Sequence, residues 1–270
     1  MQTSTDRESF GAAERELDGL SGGDRLSGVA DEVLAVAGLL GQEPRLRRAL
    51  ADSARTADER TGLLRGLLDG KVGADAVNLV AVLVGGRWSA PSQLLDAVER
   101  LGLTALLAAA EGADELAEVE DELFRFGQVV DGAPQLAAVL GDPTVPLEQR
   151  GTLVDDLIGA KARPVTVRLA KVAMAGFGGR GFAASLSRLV ELAAARRDRE
   201  VAYVTAAAPL TDEEERRLGD RLAQLYGRRV SVLLTVDPRV IGGLSVRIGS
   251  DLYDGTVLRR LNDARGALTK

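Results

Sequence analysis

Apolar residues recur through the first 200 positions at the three-to-four spacing of one helix face. Phe10, Ala13, Leu17 and Leu20 mark a helix over 7–20, closed by Gly22-Gly23. Val29, Val33, Leu34, Ala37 and Leu40 mark a second, ending at Gly41, and Pro44 opens a short third through Leu50. Thr56-Ala57-Asp58-Glu59 has the Thr and Glu spacing of a capping box, so a helix over 57–69 follows, carrying Leu63, Leu64, Leu67 and Leu68. Residues 74–84 form a strongly apolar helix stopped by Gly85-Gly86. Pro91 then starts a long one with Leu94, Leu95, Val98, Leu101 and Leu107 on one side. No strand is required up to this point.

The pattern then repeats. A shift of 90 residues aligns Pro44–Gly85 with Pro134–Ala175 without a gap. Identities fall at Pro44/Pro134, Leu46/Leu136, Leu50/Leu140, Asp52/Asp142, Arg60/Arg150, Leu63/Leu153, Leu67/Leu157, Lys71/Lys161, Val77/Val167, Leu79/Leu169 and Val82/Val172. Two unrelated amphipathic bundles share apolar positions by period alone; paired Asp, Arg and Lys at one unbroken offset argue for duplication. A 90-residue unit exceeds the roughly 20–50 residues of a solenoid repeat, so two copies of a compact helical domain are expected.

Past Arg197-Asp198 the period changes to two. Val201, Tyr203 and Thr205 mark a strand, and Thr211-Asp212-Glu213-Glu214 is a second capping box opening a helix over 212–226. Val230–Val236 and Leu244–Ile248 are further strands, divided by Asp237-Pro238 and the bend at Gly242-Gly243. A turn at Gly249–Asp251, a short return at Leu252-Tyr253 and a terminal helix bearing Val257, Leu258 and Leu261 complete the chain. The expected fold class is mostly α with a small α/β C-terminal domain. Its organisation is a first helical bundle over 1–111, a second over 112–198 and a β-α-β-β-α unit over 199–270, whose helices are expected to cover one sheet face.

Composition narrows the chemistry. With 3% aromatics, the cores are built from Leu, Val and Ala. The chain has no Cys and no His, which removes disulfides, thiolate nucleophiles, histidine bases and the usual zinc sites. A net charge of −6 argues against nucleic acid as a partner. No apolar run reaches the roughly 18–20 residues of a membrane span, and MQTSTDRESF lacks the apolar core of a signal peptide. The expected location is therefore cytoplasmic, with membrane association only through a partner.

Individual motifs add little chemistry. Gly176-Phe177-Gly178-Gly179-Arg180-Gly181 matches GxGxxG literally, but that fingerprint needs a strand before it and a helix after it, and a helix precedes this one. It reads as an interhelical loop. Asp155-Asp156 and the acids from Asp212 to Glu215 read as solvated faces, the second run complementing a helix dipole. The clusters Arg45, Arg47, Arg48 and Arg196, Arg197, Arg199 read the same way, as does Arg259-Arg260, with docking to an acidic partner or lying near a membrane surface as the alternative. Trp88 reads as packed on the bundle rather than as a partner anchor. No catalytic, cofactor-binding or metal-binding residue is assigned, and no cofactor is expected.

One stretch is specific. Asp237, Pro238, Ile241, Gly242 and Gly243, then Arg247, Ile248 and Gly249, then Asp254, Gly255 and Thr256 with Arg260 and Leu261, resemble the C-terminal signature of the delta subunit of F-type ATP synthase. That family includes the oligomycin-sensitivity-conferring protein. Thr256 stands where Ser is commoner, and the likeness covers about residues 200–268. The helical regions resemble the family's bundle more loosely, through Leu140-Gly141-Asp142-Pro143, Arg150 and the Arg180 loop. The departure is length, since the usual member has one bundle; a duplicated bundle is similar to forms from high-G+C Gram-positive bacteria.

The resemblance implies a non-catalytic stator subunit linking the α/β catalytic head to the b peripheral stalk and resisting rotor torque. The expected partners are the N-terminus of an α subunit, held as a helix in an apolar groove, and a b-type stalk subunit in simple or fused form. One copy per complex is expected, at the cytoplasmic face of the membrane. The first copy, with its free N-terminal helix, is expected to hold the groove. Phe10 and Leu17 there, and Arg259 and Arg260 on the terminal helix, are the candidate partner-binding residues. The alternatives are a helical adaptor or scaffold unrelated to ATP synthase, and a carboxylate-dependent hydrolase or nucleotide-binding oxidoreductase.

Overall fold

A computed structural model describes residues 4–20, 22–197, 199–227, 229–240, 242–249 and 251–255. Among these, twelve α-helices precede or flank one mixed four-stranded sheet. The helices are Ser4–Asp18 (α1), Gly23–Gln42 (α2), Pro44–Leu50 (α3), Ala57–Leu68 (α4), Ala74–Gly85 (α5), Pro91–Gly112 (α6), Leu116–Asp131 (α7), Pro134–Gly141 (α8), Leu147–Ile158 (α9), Pro164–Ala175 (α10), Phe182–Arg196 (α11) and Asp212–Tyr226 (α12). The strands are Arg199–Ala206 (β1), Arg229–Val236 (β2), Leu244–Ile248 (β3) and Asp251–Asp254 (β4). The fold class is mostly α with a small α/β region near the C-terminus, as expected.

Local chemistry accounts for the boundaries. Pro44, Pro91, Pro134 and Pro164 open α3, α6, α8 and α10, where a missing N–H costs nothing. Thr56 and Thr211 form complete capping boxes, each hydroxyl taking the N–H of the Glu three positions on, whose carboxylate takes the Thr N–H. These hydrogen bonds hold Glu59 and Glu214 below the usual carboxylate range. The 90-residue offset recurs in the backbone: α4 at 57–68 and α5 at 74–85 become α9 at 147–158 and α10 at 164–175, with no change of length.

The chain divides into two compact units. The first comprises Met1–Leu116 with Pro143–Ser185, and the second Ala117–Asp142 with Leu186–Lys270. Residues 112–198, expected as one segment, contribute to both.

In the first unit α2 and α6 make the most extensive helix contact. Gly102 permits it: a Cβ there would lie 2.7 Å from Leu34 Cγ. Leu26, Val29, Val33 and Leu40 of α2 and Leu94, Val98, Leu101 and Leu106 of α6 are buried. Each contributes about 1.5–3 kcal/mol by leaving water. The repeated arginines are also buried. Arg60 of α4 donates from Nη2 to the Gly85 carbonyl ending α5 (3.1 Å), and Arg150 of α9 donates from Nη1 to the Met174 carbonyl near the end of α10 (3.0 Å). Each guanidinium meets the negative end of the following helix. Arg150 also donates to Val145 O at 3.1 Å, whereas Arg60 leaves Nε and Nη1 buried without partners.

In the second unit the sheet order is β2-β1-β3-β4, with β1 and β2 parallel and the other pairs antiparallel. The β1–α12–β2 crossover supplies the parallel pair. Ala202, Val204, Leu222, Val230, Val246 and Ile248 form the core beneath α12. The opposite face is covered as well, which departs from the one-sided cover expected from 199–270 alone. There α7 places Phe124 against Tyr203, ring centroids 6.1 Å apart, and Gln128 donates to Leu234 O (3.2 Å) and Thr235 Oγ1 (2.8 Å). The cover comes from far upstream, with α8 to α11 lying between α7 and β1 in the sequence.

Candidate partner-binding surfaces

The described residues of the C-terminal signature lie in the turns and strands that follow β2. Asp237 N donates to Ala206 O (2.9 Å), tying the end of β2 to β1. The Asp237 carboxylate accepts the Arg239 backbone N–H (2.9 Å) and its guanidinium Nη2 (3.0 Å). Those bonds hold the carboxyl below its ordinary range and raise the guanidinium above its own. Gly242 and Gly243 take φ values of 64° and 79°, a backbone region that side chains oppose. Together they turn the chain from β2 into β3. Gly249, at φ 54°, begins the β3–β4 turn. Gly255 N donates to Leu244 O (3.0 Å), and a Cβ at Gly255 would lie 3.1 Å from that oxygen.

Side chains lock the hairpin to the sheet. Ile248 is buried in the α12 core, while Arg247 points to the other face with its guanidinium 4.6 Å from the Tyr203 ring centroid. Burial pushes the Tyr203 hydroxyl up to about 12, with Glu191 adding to the shift and Arg247 opposing it. At the β4 edge, Tyr226 OH donates to Asp251 Oδ2 (3.0 Å) and lies 3.0 Å from Tyr253 OH. Exposed apolar side chains gather on this unit: Leu225, Leu252 and Tyr253 are 65%, 62% and 46% accessible. A cleft of about 550 Å³ lies beside β2, lined by α7 and α12. The buried Glu120 is paired with Arg197 there at 2.6 Å, and Ser231 Oγ is buried without a hydrogen-bond partner.

The other residues singled out by the sequence fall as follows. Phe10 and Leu17 are buried, at 5% and 0% accessibility, and Arg100 stacks on the Phe10 ring at 4.1 Å. Their side chains belong to the core under α1. Ile241, Thr256, Arg259, Arg260 and Leu261 lie outside the described residues, as does the expected terminal helix. Trp88 is buried and donates to Leu83 O at 2.8 Å. Arg47 donates to Leu40 O (2.9 Å) near the end of α2, where a cation suits the free carbonyls, and Arg48 donates to Pro44 O (3.2 Å) within α3. The 176–181 loop joins two helices through a 3-10 turn at Phe177–Gly179. Gly178 N donates to Glu99 of α6 at 3.0 Å, while burial raises the Glu99 carboxyl. Among the described residues no three acidic side chains converge as a metal site, and no helix is long and apolar enough to cross a membrane.

Comparison with known proteins places the chain. The family model described as ATP synthase delta (OSCP) subunit matches residues 104–268. A protein named ATP synthase subunit delta from Salinispora arenicola is 63% identical over 273 residues, spanning 100% of both chains. Another of that name from Streptomyces griseus is 43% identical, spanning 97% of each. A chain in the cryo-EM structure of the Toxoplasma gondii mitochondrial ATP synthase hexamer resembles 62% of this one, and 95% of that chain is covered, with a TM-score of 0.35 and 16% identity. The family assignment rests on the first three. This chain belongs to the ATP synthase delta (OSCP) subunit family.

Proposed function

We propose that the chain is a non-catalytic stator element of the F-type ATP synthase, joining the α/β catalytic head to a b-type peripheral stalk. The observation that carries this reading is the full-length likeness to ATP synthase delta subunits, together with the hydrogen bonds that hold Asp237 and Gly255 of the signature to the sheet. A stator needs binding surfaces and stiffness rather than acid–base groups, and a chain without His or Cys suits that task. It reaches the cytoplasmic face of the membrane as a peripheral part of the complex, one copy per complex.

The N-terminal helix of an α subunit docks on the first copy beside α1; Phe10 and Leu17 shape that surface from beneath. The second unit, with its exposed Leu225, Leu252 and Tyr253, meets the C-terminal helices of the b-type stalk, whether simple or fused. Arg259 and Arg260 are assigned to the same contact. The test is coupling. Membrane vesicles stripped of this chain should hydrolyse ATP without pumping protons, and the purified chain should restore pumping. Full pumping in its absence overturns the proposal.

A further inference from the structure

We propose that α6 is a shared helix, the last of the first bundle and the first of the second, so that the second copy keeps no free first-helix surface and the chain takes a single partner helix. Four observations converge. The first is numerical. Shifting α1 by the repeat offset carries 4–18 onto 94–108, which lies inside α6. The first bundle runs from 4 to 112, longer than the 90-residue period by most of the length of α6. Two complete bundles in tandem would require the longer period; overlap by one helix gives the observed one.

The second is burial. In the first half of α6 the buried positions are Leu94, Ala97 and Val98, the stripe of a helix packed on one side. From Leu101 to Ala110 every residue is buried. A helix buried all round has neighbours on all sides. The packing positions carry over at the repeat offset: buried Ala13 and Leu17 of α1 correspond to buried Leu103 and Leu107.

The third is the set of neighbours. In the first copy α1 packs against α5, and α6 likewise packs against α10, the offset counterpart of α5. Polar bonds add to the joint: Glu99 of α6 accepts from Gly178 N (3.0 Å), Arg168 of α10 donates to Ser27 O of α2 (2.9 Å) and pairs with Asp31, and Arg163 pairs with Glu115 (2.8 Å). The fourth is the family match itself. It begins at residue 104, within α6, so the second half of that helix is matched together with the second copy.

The consequence is mechanical and stoichiometric. α6 packs directly on α10 of the second copy, so load passing between these two helices is carried by side-chain packing. The place that α1 fills in the first copy is filled in the second by the chain's own α6. The stoichiometric clause rests on the proposed docking of an α-subunit helix; the shared helix does not.

Hydrogen exchange with mass spectrometry on the full-length chain separates the two. Leu107→Ala, on the shared half of α6, should raise exchange by at least about tenfold in both α2 and α10. Leu17→Ala, on α1, should raise it in α5 and leave α10 unchanged. A response to Leu107→Ala confined to α2 and α5 overturns the shared helix. If that variant fails to fold, Leu107→Val delivers the same comparison with a smaller change. Calorimetric titration of the full-length chain with a synthetic peptide of the cognate α-subunit N-terminal helix should give one site. Two sites overturn the single-acceptor clause; no binding overturns the docking reading while the exchange result still decides the shared helix.

Discussion

Replacing the two repeat-related arginines by methionine should have unequal effects, although they are aligned and both buried. Methionine keeps much of the stem length and the helix propensity, so the comparison isolates the guanidinium. Arg150 donates to Val145 O and Met174 O at 3.1 and 3.0 Å. Hydrogen bonds from a charged donor are each worth about 1.5–3 kcal/mol, and their loss leaves two carbonyls without that donor. After the relief of desolvating the cation, a net loss of roughly 2–4 kcal/mol is expected for Arg150→Met. Arg60 has one bond, to Gly85 O at 3.1 Å, while its Nε and Nη1 are buried without partners. Removing that poorly satisfied buried cation offsets the lost bond, so Arg60→Met should lie within about 1 kcal/mol of the parent. Guanidinium chloride unfolding followed by circular dichroism measures both, read as midpoint shifts at unchanged slope. Equal losses, or a larger one for Arg60→Met, would refute the reasoning that partner number sets the cost.

Three further outcomes are expected. Thr56→Ala and Thr211→Ala should each cost about 1 kcal/mol in the same assay, and NMR titration should show Glu59 and Glu214 returning to the usual carboxylate range. Arg239→Ala should raise the Asp237 carboxyl in a carbon-detected NMR titration; because the folded value is depressed, the stabilisation is present above about pH 3.9 and lost as pH falls below it, a loss the variant should show only in part, since the backbone N–H of residue 239 still donates to Asp237. Tyr203 should stay protonated after exposed tyrosines ionise, visible as a late step in the ultraviolet phenolate titration. Its raised folded value means that stability falls as pH rises from about 10, where the unfolded tyrosine ionises, toward 12.

Element boundaries were legible because the chain marks them chemically. Pro44, Thr56, Pro91, Thr211 and the glycines at 85–86 and 242–243 act on their immediate neighbours, and the helices and strands begin or end there. What depends on distant neighbours was not. Helical spacing identified Phe10 and Leu17 as an apolar face, but the same stripe serves a core or a docking surface, and both side chains are core. The expected one-sided sheet ignored α7, whose Gln128 and Phe124 reach β2 and β1 across all of α8 to α11 in the sequence. The apolar run from Leu101 to Ala110 does carry a local signal, since it has no polar face. Nothing local names its neighbours. The aligned Arg60 and Arg150 were visible as a pair, yet charge alone gave no hint that both are buried against helix ends.

The stator reading is tested most directly by isolating the enzyme complex through an affinity tag on this chain, identifying the subunits and weighing the intact assembly by native mass spectrometry. The account predicts α, β and a b-type stalk subunit together with one copy of this chain. Recovery of the chain alone, as a dimer, or without α and b-type subunits would contradict it.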